Sequence, residues 1–308
     1  MKHALVVGIS GFVGRHLAGY LLGQEWRVVG FDQQPLAGFG VRLGDLLDQA
    51  KVERLLHETR PDFIFHLAGV LKSDSPEHFY TVHVLGTLAL LEAVMEAGLR
   101  PVIVVAGSSA VYGAGTAQRP ITEKHNPQPL THYAVSKLAQ EALALRYWRA
   151  FGLPVICVRM FNLLGPGLSP AMACSDFARQ IAQAEQAGKP ATISTGNLDS
   201  RRDFVDVRDA ARAYALLAEK GQPGQIYNVA SGRAVSIRKC LDFLCAQARV
   251  PVEAALDPAR VQPNDVPVQV GSADRLRRRT GWKAEVPLEQ SLADLLDDWR
   301  QKINREQA

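Results

Sequence analysis

The chain has 308 residues, 47% hydrophobic and 21% charged, with a net charge of +4. That is a globular composition, enough for one large domain or a large one with a smaller partner. It carries no low-complexity segment or internal repeat, the charge is too mild to specify nucleic acid, and no run of about 18 apolar residues marks a membrane span. Cys157, Cys174, Cys240 and Cys245 show neither metal-ligand spacing nor a disulfide framework. No metal is expected. A strand starts at once after Met1, leaving no room for a signal peptide, so a reducing, cytoplasmic setting is expected.

Ala4 to Val7 reads as a strand running into Gly8-Ile9-Ser10-Gly11-Phe12-Val13-Gly14. An amphipathic helix from Arg15 to Gly23 and a second strand from Arg27 to Phe31 follow. Strand, glycine turn, helix, strand is the context in which glycines admit a pyrophosphate and a helix N-terminus faces it. Gly8, Gly11, Phe12, Val13 and Gly14 are therefore candidate dinucleotide contacts. Asp32 closes the second strand, with Gln33 after it. A carboxylate there accepts from both ribose hydroxyls and repels a 2′-phosphate, which favours NAD(H) and leaves NADP(H) open. The bland alternative is a flexible turn with an N-capping Asp.

Val41 to Leu46 reads as a third strand, with Asp45 either on the adenine amino group beside Leu46 or capping the next helix. Asp62 to Leu67 is a fourth, ending in His66-Leu67-Ala68-Gly69, where Leu67, Ala68 and Gly69 let backbone pass beneath a cofactor. His66 reads as a core histidine. Glu77 to Ala97 has helical spacing. Pro101 to Ala106 is a fifth strand leading to Gly107-Ser108-Ser109-Ala110-Val111-Tyr112-Gly113. A helix then runs to about Phe151, and Pro154 to Met160 is a sixth strand. The alternation of strands and helices predicts an α/β fold, a Rossmann-type doubly wound parallel sheet. Ligands bind off the carboxyl ends of such strands, where Gly8, Asp32, Asp45, Gly69 and Ser108 fall.

Beyond Asn162 the pattern changes. Residues 163–201 read as loops around one helix, about Cys174 to Gly188. Asp206 to Lys220 reads as a helix and Gln225 to Ala230 as a strand. The tail reads as loops and helices, with Arg275 to Arg279 a solvated face. The expected division is a dinucleotide-binding domain (1–162 and 205–230) and a smaller C-terminal α/β substrate domain (163–204 and 231–308), with a cleft between them.

Tyr133 and Lys137 stand one helical turn apart on one face. A phenol has a pKa of about 10. A neighbouring ammonium is expected to lower it, and bringing it to about 7 takes roughly 4 kcal/mol. The pair can then act as a tuned acid/base.

With these residues assembled, the chain resembles an extended short-chain dehydrogenase/reductase of the nucleotide-sugar epimerase/dehydratase group. The resemblance spans essentially the whole chain. Besides the glycine turn, it rests on His66 to Gly69, Ser108 to Gly113, Tyr133 with Lys137, and Arg159-Met160-Phe161-Asn162. Further along it rests on Arg202 to Val207, Tyr227 to Gly232 and Thr280 to Lys283. It implies that Ser108 bonds the sugar carbonyl, that Tyr133 is the acid/base, and that Lys137 holds the nicotinamide ribose. Ser109, Asn162 and Arg202, with Arg260 and Asp265 from the tail, are implied contacts of a nucleotide-diphosphate sugar; Gln262 departs from the common Arg. Dehydratases of the group carry acids directly after the catalytic hydroxyl, whereas Ser109 and Ala110 stand here. The segment Gly196 to Phe204 is similar to that of GDP-mannose dehydratases and GDP-4-keto-6-deoxy-mannose reductases.

The implied function is NAD(P)H-dependent reduction of the C4 ketone of a nucleotide-linked 4-keto-6-deoxyhexose, best GDP-4-keto-6-deoxy-D-mannose to GDP-D-rhamnose. The alternative is an NAD-dependent 4-epimerase of the UDP-glucose type. A silent NAD-binding sensor or scaffold is a distant third. The group also implies a homodimer through a four-helix bundle, in which Leu88, Leu91, Leu138 and Leu145 fit either interface or core. His83 stands where relatives carry Asn, and from its residue type alone it is expected to titrate near neutrality.

Overall fold

Thirteen short strands and ten helices organise residues 1–115, 119–261 and 266–305, the part of the chain that this computed structural model describes. The first six strands are β1 (His3–Val7), β2 (Arg27–Asp32), β3 (Val41–Leu43), β4 (Phe63–His66), β5 (Val102–Ser108) and β6 (Val155–Met160). The next four are β7 (Asn162–Leu164), β8 (Ala191–Thr195), β9 (Arg201–Asp206) and β10 (Ile226–Val229). β11 (Ala234–Ser236), β12 (Val252–Leu256) and β13 (Val268–Gln269) complete the set.

Seven of them form one sheet in the order β10-β6-β5-β4-β1-β2-β3, with every adjacent pair parallel. Chain order reverses between β1 and β4, so their carboxyl ends open a crevice there. The central strands are apolar on both faces because helices cover both. On one face α1 (Phe12–Gly23) packs beside the later helix Val207–Lys220. On the other lie α2 (Gln49–Thr59), α3 (Pro76–Tyr80), α4 (Gly86–Glu96) and α5 (His132–Phe151).

The helix expected over 77–97 is in three parts. α3 and α4 are joined by a π-helical turn, Thr81–Leu85, that turns His83 inward. By length and composition alone the stretch Pro76–Glu96 could cross a membrane, a feature the sequence reading missed. Here it lies against α5 and the sheet, and its Thr87 and His83 are buried in hydrogen bonds. Leu91 and Leu145 are core residues, and Leu88 packs against the same core.

The loops expected over 163–201 also hold strands. β9 pairs β7 and β13 in parallel and β11 antiparallel, while β8 pairs β12. Around them pack α6 (Ala173–Ala187), α8 (Ile237–Ala246) and α10 (Leu288–Arg305), with Trp299, Leu295 and Phe177 at the centre. Between α6 and α8 in sequence, α7 (Val207–Lys220) starts on Asp206, which accepts from Arg208 N. α9 (Asp274–Thr280) carries the basic run and buries only Leu276.

Candidate active site

The glycine turn is shaped by contacts that exclude side chains. Gly8 has φ +87°, and a Cβ on it would meet Ala68 N at 2.6 Å. A Cβ on Gly14 would meet Gly8 O at 2.2 Å. The turn is thereby pressed against the end of β4, and α1 begins at Gly11 with no side-chain cap and no acid in its first turn. Its free N–H groups are left to face an anion. Phe12, Val13, Leu67 and Gly69 line the cleft above this turn.

Asp32 lies at the end of β2, where Oδ2 accepts from Ser10 N (2.9 Å) and Oδ1 from Gln34 N (3.1 Å). Gln33 donates to Asp45 Oδ2 (3.0 Å), and Asp45 Oδ1 accepts from Leu47 N (2.9 Å). Asp45 does not cap α2; Asp48 does, accepting from Lys51 N. These groups, with Leu46, Ala68 and Gly69, line a pocket of about 430 Å³. A cradle closed to Cβ atoms, a free helix N-terminus and a ribose-side carboxylate together fit a dinucleotide.

Ser108 ends β5, and Tyr133 sits in the first turn of α5, which Thr131 caps by accepting from Ala134 N (3.1 Å). Tyr133 and Ser108 line the same cleft, and the Ser108 hydroxyl favours the ionised form of the Tyr133 phenol. Ser108 Oγ accepts from Ala110 N (3.1 Å), which fixes its rotamer. Phe79 and His83 hold the Tyr133 ring edge-on, with centroids at 6.0 and 5.6 Å. One turn on, Lys137 is buried and donates to Ala106 O (2.9 Å) and Gln140 Oε1 (2.9 Å). The three implied catalytic groups therefore converge.

The electrostatics differ from the expectation. Burial raises the Tyr133 phenol above its usual value, opposed by the Ser108 hydroxyl. Burial also brings Lys137 down to about 7. A desolvated lysine that loses its proton near pH 7 is neutral by the pH at which the phenol ionises, so it does not acidify its neighbour. The phenol is thus a proton donor held in its acid form rather than a half-ionised pair member.

His66 is a core residue: Nε2 meets Thr87 Oγ1 at 2.8 Å, and burial lowers its pKa to about 3. His83 bridges two elements. Its Nε2 accepts from Val70 N (3.1 Å) and its Nδ1 meets Ser136 Oγ at 2.8 Å.

On the far side, Asn162 on β7 donates to Asp203 O (3.3 Å), and Arg202 on β9 donates to Arg201 O (3.0 Å). Arg260 is paired with Asp176, which Arg179 also holds. Ser109 lies at the cleft wall but turns its hydroxyl to Gln269 Oε1 (3.1 Å). Asp265 and Gln262 lie outside the described residues. Other motif residues hold the frame. Asp203 accepts from Ser231 N, Gly232 N and Gly271 N, and Tyr112 donates to Asn228 Oδ1 (2.7 Å). Two residues went unnoticed in the sequence, Asp176 and Gln140. Only Gln140 carried a signal, being three positions after Lys137 on the same face.

One cleft of about 1060 Å³ joins the glycine turn, Ser108, Tyr133 and Lys137 to Asn162, Arg202 and Arg260. Among the described residues lining it, Asp176 is the one carboxylate, and two arginines neutralise it.

A sequence profile of the NAD dependent epimerase/dehydratase family matches residues 4–230. The GDP-6-deoxy-D-mannose reductase of Pseudomonas aeruginosa is 36% identical, over 99% of this chain and 99% of that protein. The structure of RMD from the same organism complexed with NADPH superposes with a TM-score of 0.88 at 35% identity, covering 98% of this chain and 100% of that one. The UDP-glucose 4-epimerase of Thermus thermophilus in complex with NAD gives a TM-score of 0.85 at 29% identity, covering 97% and 99%.

Proposed function

We infer the function of this chain from its family and its cleft: it belongs to the NAD dependent epimerase/dehydratase family, and it is a nucleotide-sugar reductase. The substrate we propose is a nucleotide-linked 4-keto-6-deoxyhexose, best GDP-4-keto-6-deoxy-D-mannose, reduced at C4 to GDP-D-rhamnose. The observation that carries this reading is the single cleft. It holds an acid-form phenol at one end and cationic, amide-bearing walls at the other.

Gly8, Gly11 and Gly14 with the α1 N-terminus would hold the pyrophosphate of a dinucleotide. Asp32 would hold the adenosine ribose, and Lys137 the nicotinamide ribose. When bound, the reduced cofactor supplies a hydride. Ser108 and Tyr133 then bond the C4 oxygen, and Tyr133 gives its proton to the alkoxide forming there. Asn162 and Arg202 bind the diphosphate, a guanidinium matching phosphate as a charged donor. Dehydration is disfavoured because Ala110 is apolar and the Ser109 hydroxyl is spent on Gln269.

Asp32 favours NADH, since its carboxylate faces the adenine-side pocket and opposes a 2′-phosphate. The NADPH in the Pseudomonas relative's structure supports use of both cofactors. A homodimer through the two helical segments 76–96 and 132–151 accounts for the exposed Leu85, Val135 and Phe151. Four free cysteines suit a cytoplasmic setting.

Reduction is tested by supplying GDP-4-keto-6-deoxy-mannose with NADH and, separately, NADPH. Consumption of at least one supports the reading, and consumption of neither overturns it. The likeness to the Thermus epimerase supports the second reading, a 4-epimerase. An epimerase recycles its NAD, so nucleotide retained through purification and interconversion of UDP-hexoses would favour that reading.

A further inference from the structure

Lys137 is buried with two neutral acceptors, and one of them is itself anchored. Gln140 is fully buried, with its Oε1 accepting from Lys137 Nζ at 2.9 Å. Its Nε2 donates to Thr87 Oγ1 at 2.8 Å. Thr87 spends its only proton on the His83 carbonyl at 2.6 Å. The Thr87 oxygen is therefore an acceptor toward Gln140 Nε2, and His66 Nε2 lies beside both, 2.8 Å from Thr87 Oγ1 and 3.3 Å from Gln140 Nε2. These bonds fix the orientation of the amide. Reversed, it would set an N–H against the ammonium and a carbonyl oxygen against the lone pairs of Thr87. With Lys137 as an ammonium donor and Thr87 as an acceptor, the Gln140 oxygen faces Lys137.

We propose that Gln140 is a positioning residue for the active-site lysine: its amide oxygen holds the Lys137 ammonium against Ala106 O, and its amide nitrogen locks that hold to Thr87. This rests on the reading of Lys137 as part of the reductase centre. A buried ammonium is tolerated where dipoles compensate it. Here the compensation comes from one backbone carbonyl and one side-chain amide. The amide ties the lysine on α5 to Thr87 on α4 and, through His66, to β4. Of these three elements, α5 also carries Tyr133. A Cβ on Gly69 would stand 3.3 Å from Lys137 Nζ, so the held ammonium lies against the backbone that passes beneath the cofactor pocket.

The titratable groups facing Lys137 are His66 from β4, His83 from the π-helical turn and Tyr133 from its own helix. Glu141, the next residue after Gln140, is committed to Arg159 on β6 at 2.6 and 2.8 Å. β5 adds the Ala106 carbonyl and Ser108.

The test follows Lys137 itself. The full chain is labelled with 13C-lysine, the Lys137 resonance is identified by its loss in Lys137→Met, and its midpoint is read from pH 5 to 10. Wild type is expected to titrate near 7 because burial disfavours the ammonium. Gln140→Glu places a carboxylate on the ammonium and moves the midpoint up by about one unit or more. Gln140→Leu removes the acceptor and moves it down. Midpoints that stay put in both variants, or that move in the same direction, overturn the proposal, because a packing role alone cannot give opposite signs. Should the leucine variant not fold, Gln140→Met, a closer match in shape, takes its place. In turnover, Gln140→Leu lowers kcat with the sugar KM unchanged. A wild-type protein that reduces no keto sugar sinks the reductase reading, while the lysine titration still decides the role of Gln140.

Discussion

Replacing His83 by Asn changes how the fold responds to acid. His83 Nε2 accepts from Val70 N–H at 3.1 Å, so Nδ1 carries the proton and donates to Ser136 Oγ at 2.8 Å. Ser136 in turn donates to Tyr133 O at 2.8 Å, so the ring ties the loop after Gly69 to the helix bearing Tyr133. Burial, and then the Lys137 charge, lower the imidazole from 6.5 to about 3. The unfolded chain therefore binds a proton below pH 6.5 that the folded chain refuses until about pH 3. Stability attached to this residue is intact above 6.5 and is lost as pH falls toward 3. At about 1.4 kcal/mol per unit, the loss at pH 5 is roughly 2 kcal/mol. Asn keeps a donor and an acceptor and does not titrate. Urea unfolding of both proteins at pH 8, 7, 6 and 5 measures the effect. The acid-induced loss should be smaller in His83→Asn by roughly 2 kcal/mol at pH 5. His66 shifts in the same sense in both proteins and cancels in the difference. Parallel pH dependences would show that His83 protonates in the fold, which would refute the clamp.

Gly14→Ala puts a methyl 2.2 Å from Gly8 O, so the turn must shift. NADH binding followed by fluorescence should be lost, with stability lower by about 1–3 kcal/mol. Asp32→Ser removes a like charge facing a 2′-phosphate, a repulsion on the order of 1–4 kcal/mol. The ratio of kcat/KM for NADPH over NADH should rise at least about fivefold. Glu141→Leu leaves Arg159 charged and buried against Tyr112, its guanidinium 4.6 Å from that ring. Unfolding free energy should drop by about 3–5 kcal/mol in denaturant titrations.

The centre of the seven-stranded sheet was legible in the sequence because β1, β4, β5 and β6 are short, near-continuous apolar runs ending beside glycine or polar residues. Parallel strands buried on both faces force that pattern. β8 and β12 were not legible. Ala191–Thr195 and Val252–Leu256 pair only with each other and leave most of Val252–Leu256 exposed, so neither carries an apolar signature. The π-helical turn over Thr81–Leu85 was hidden because helical spacing tolerates one inserted residue, although that turn is what aims His83. Tyr133 and Lys137 could be paired from their spacing, and Ser108 joined them through the family resemblance, but the proton affinities of Tyr133 and Lys137 could not be read. Those follow from how deeply the folded chain buries them, and burial reversed the expected acidification of Tyr133. Gln140 shows the same limit: its position was visible, whereas its grip on Lys137 depends on Thr87 arriving from another helix.

The most direct test is the fate of a labelled hydride. GDP-4-keto-6-deoxy-mannose is incubated with cofactor deuterated at the transferring position, and the product is read by mass spectrometry and proton NMR. A reductase places one deuterium at C4 of a 6-deoxyhexose for each cofactor oxidised, and Tyr133→Phe loses most of that product. An unlabelled sugar inverted at C4 with no net cofactor consumption would contradict it.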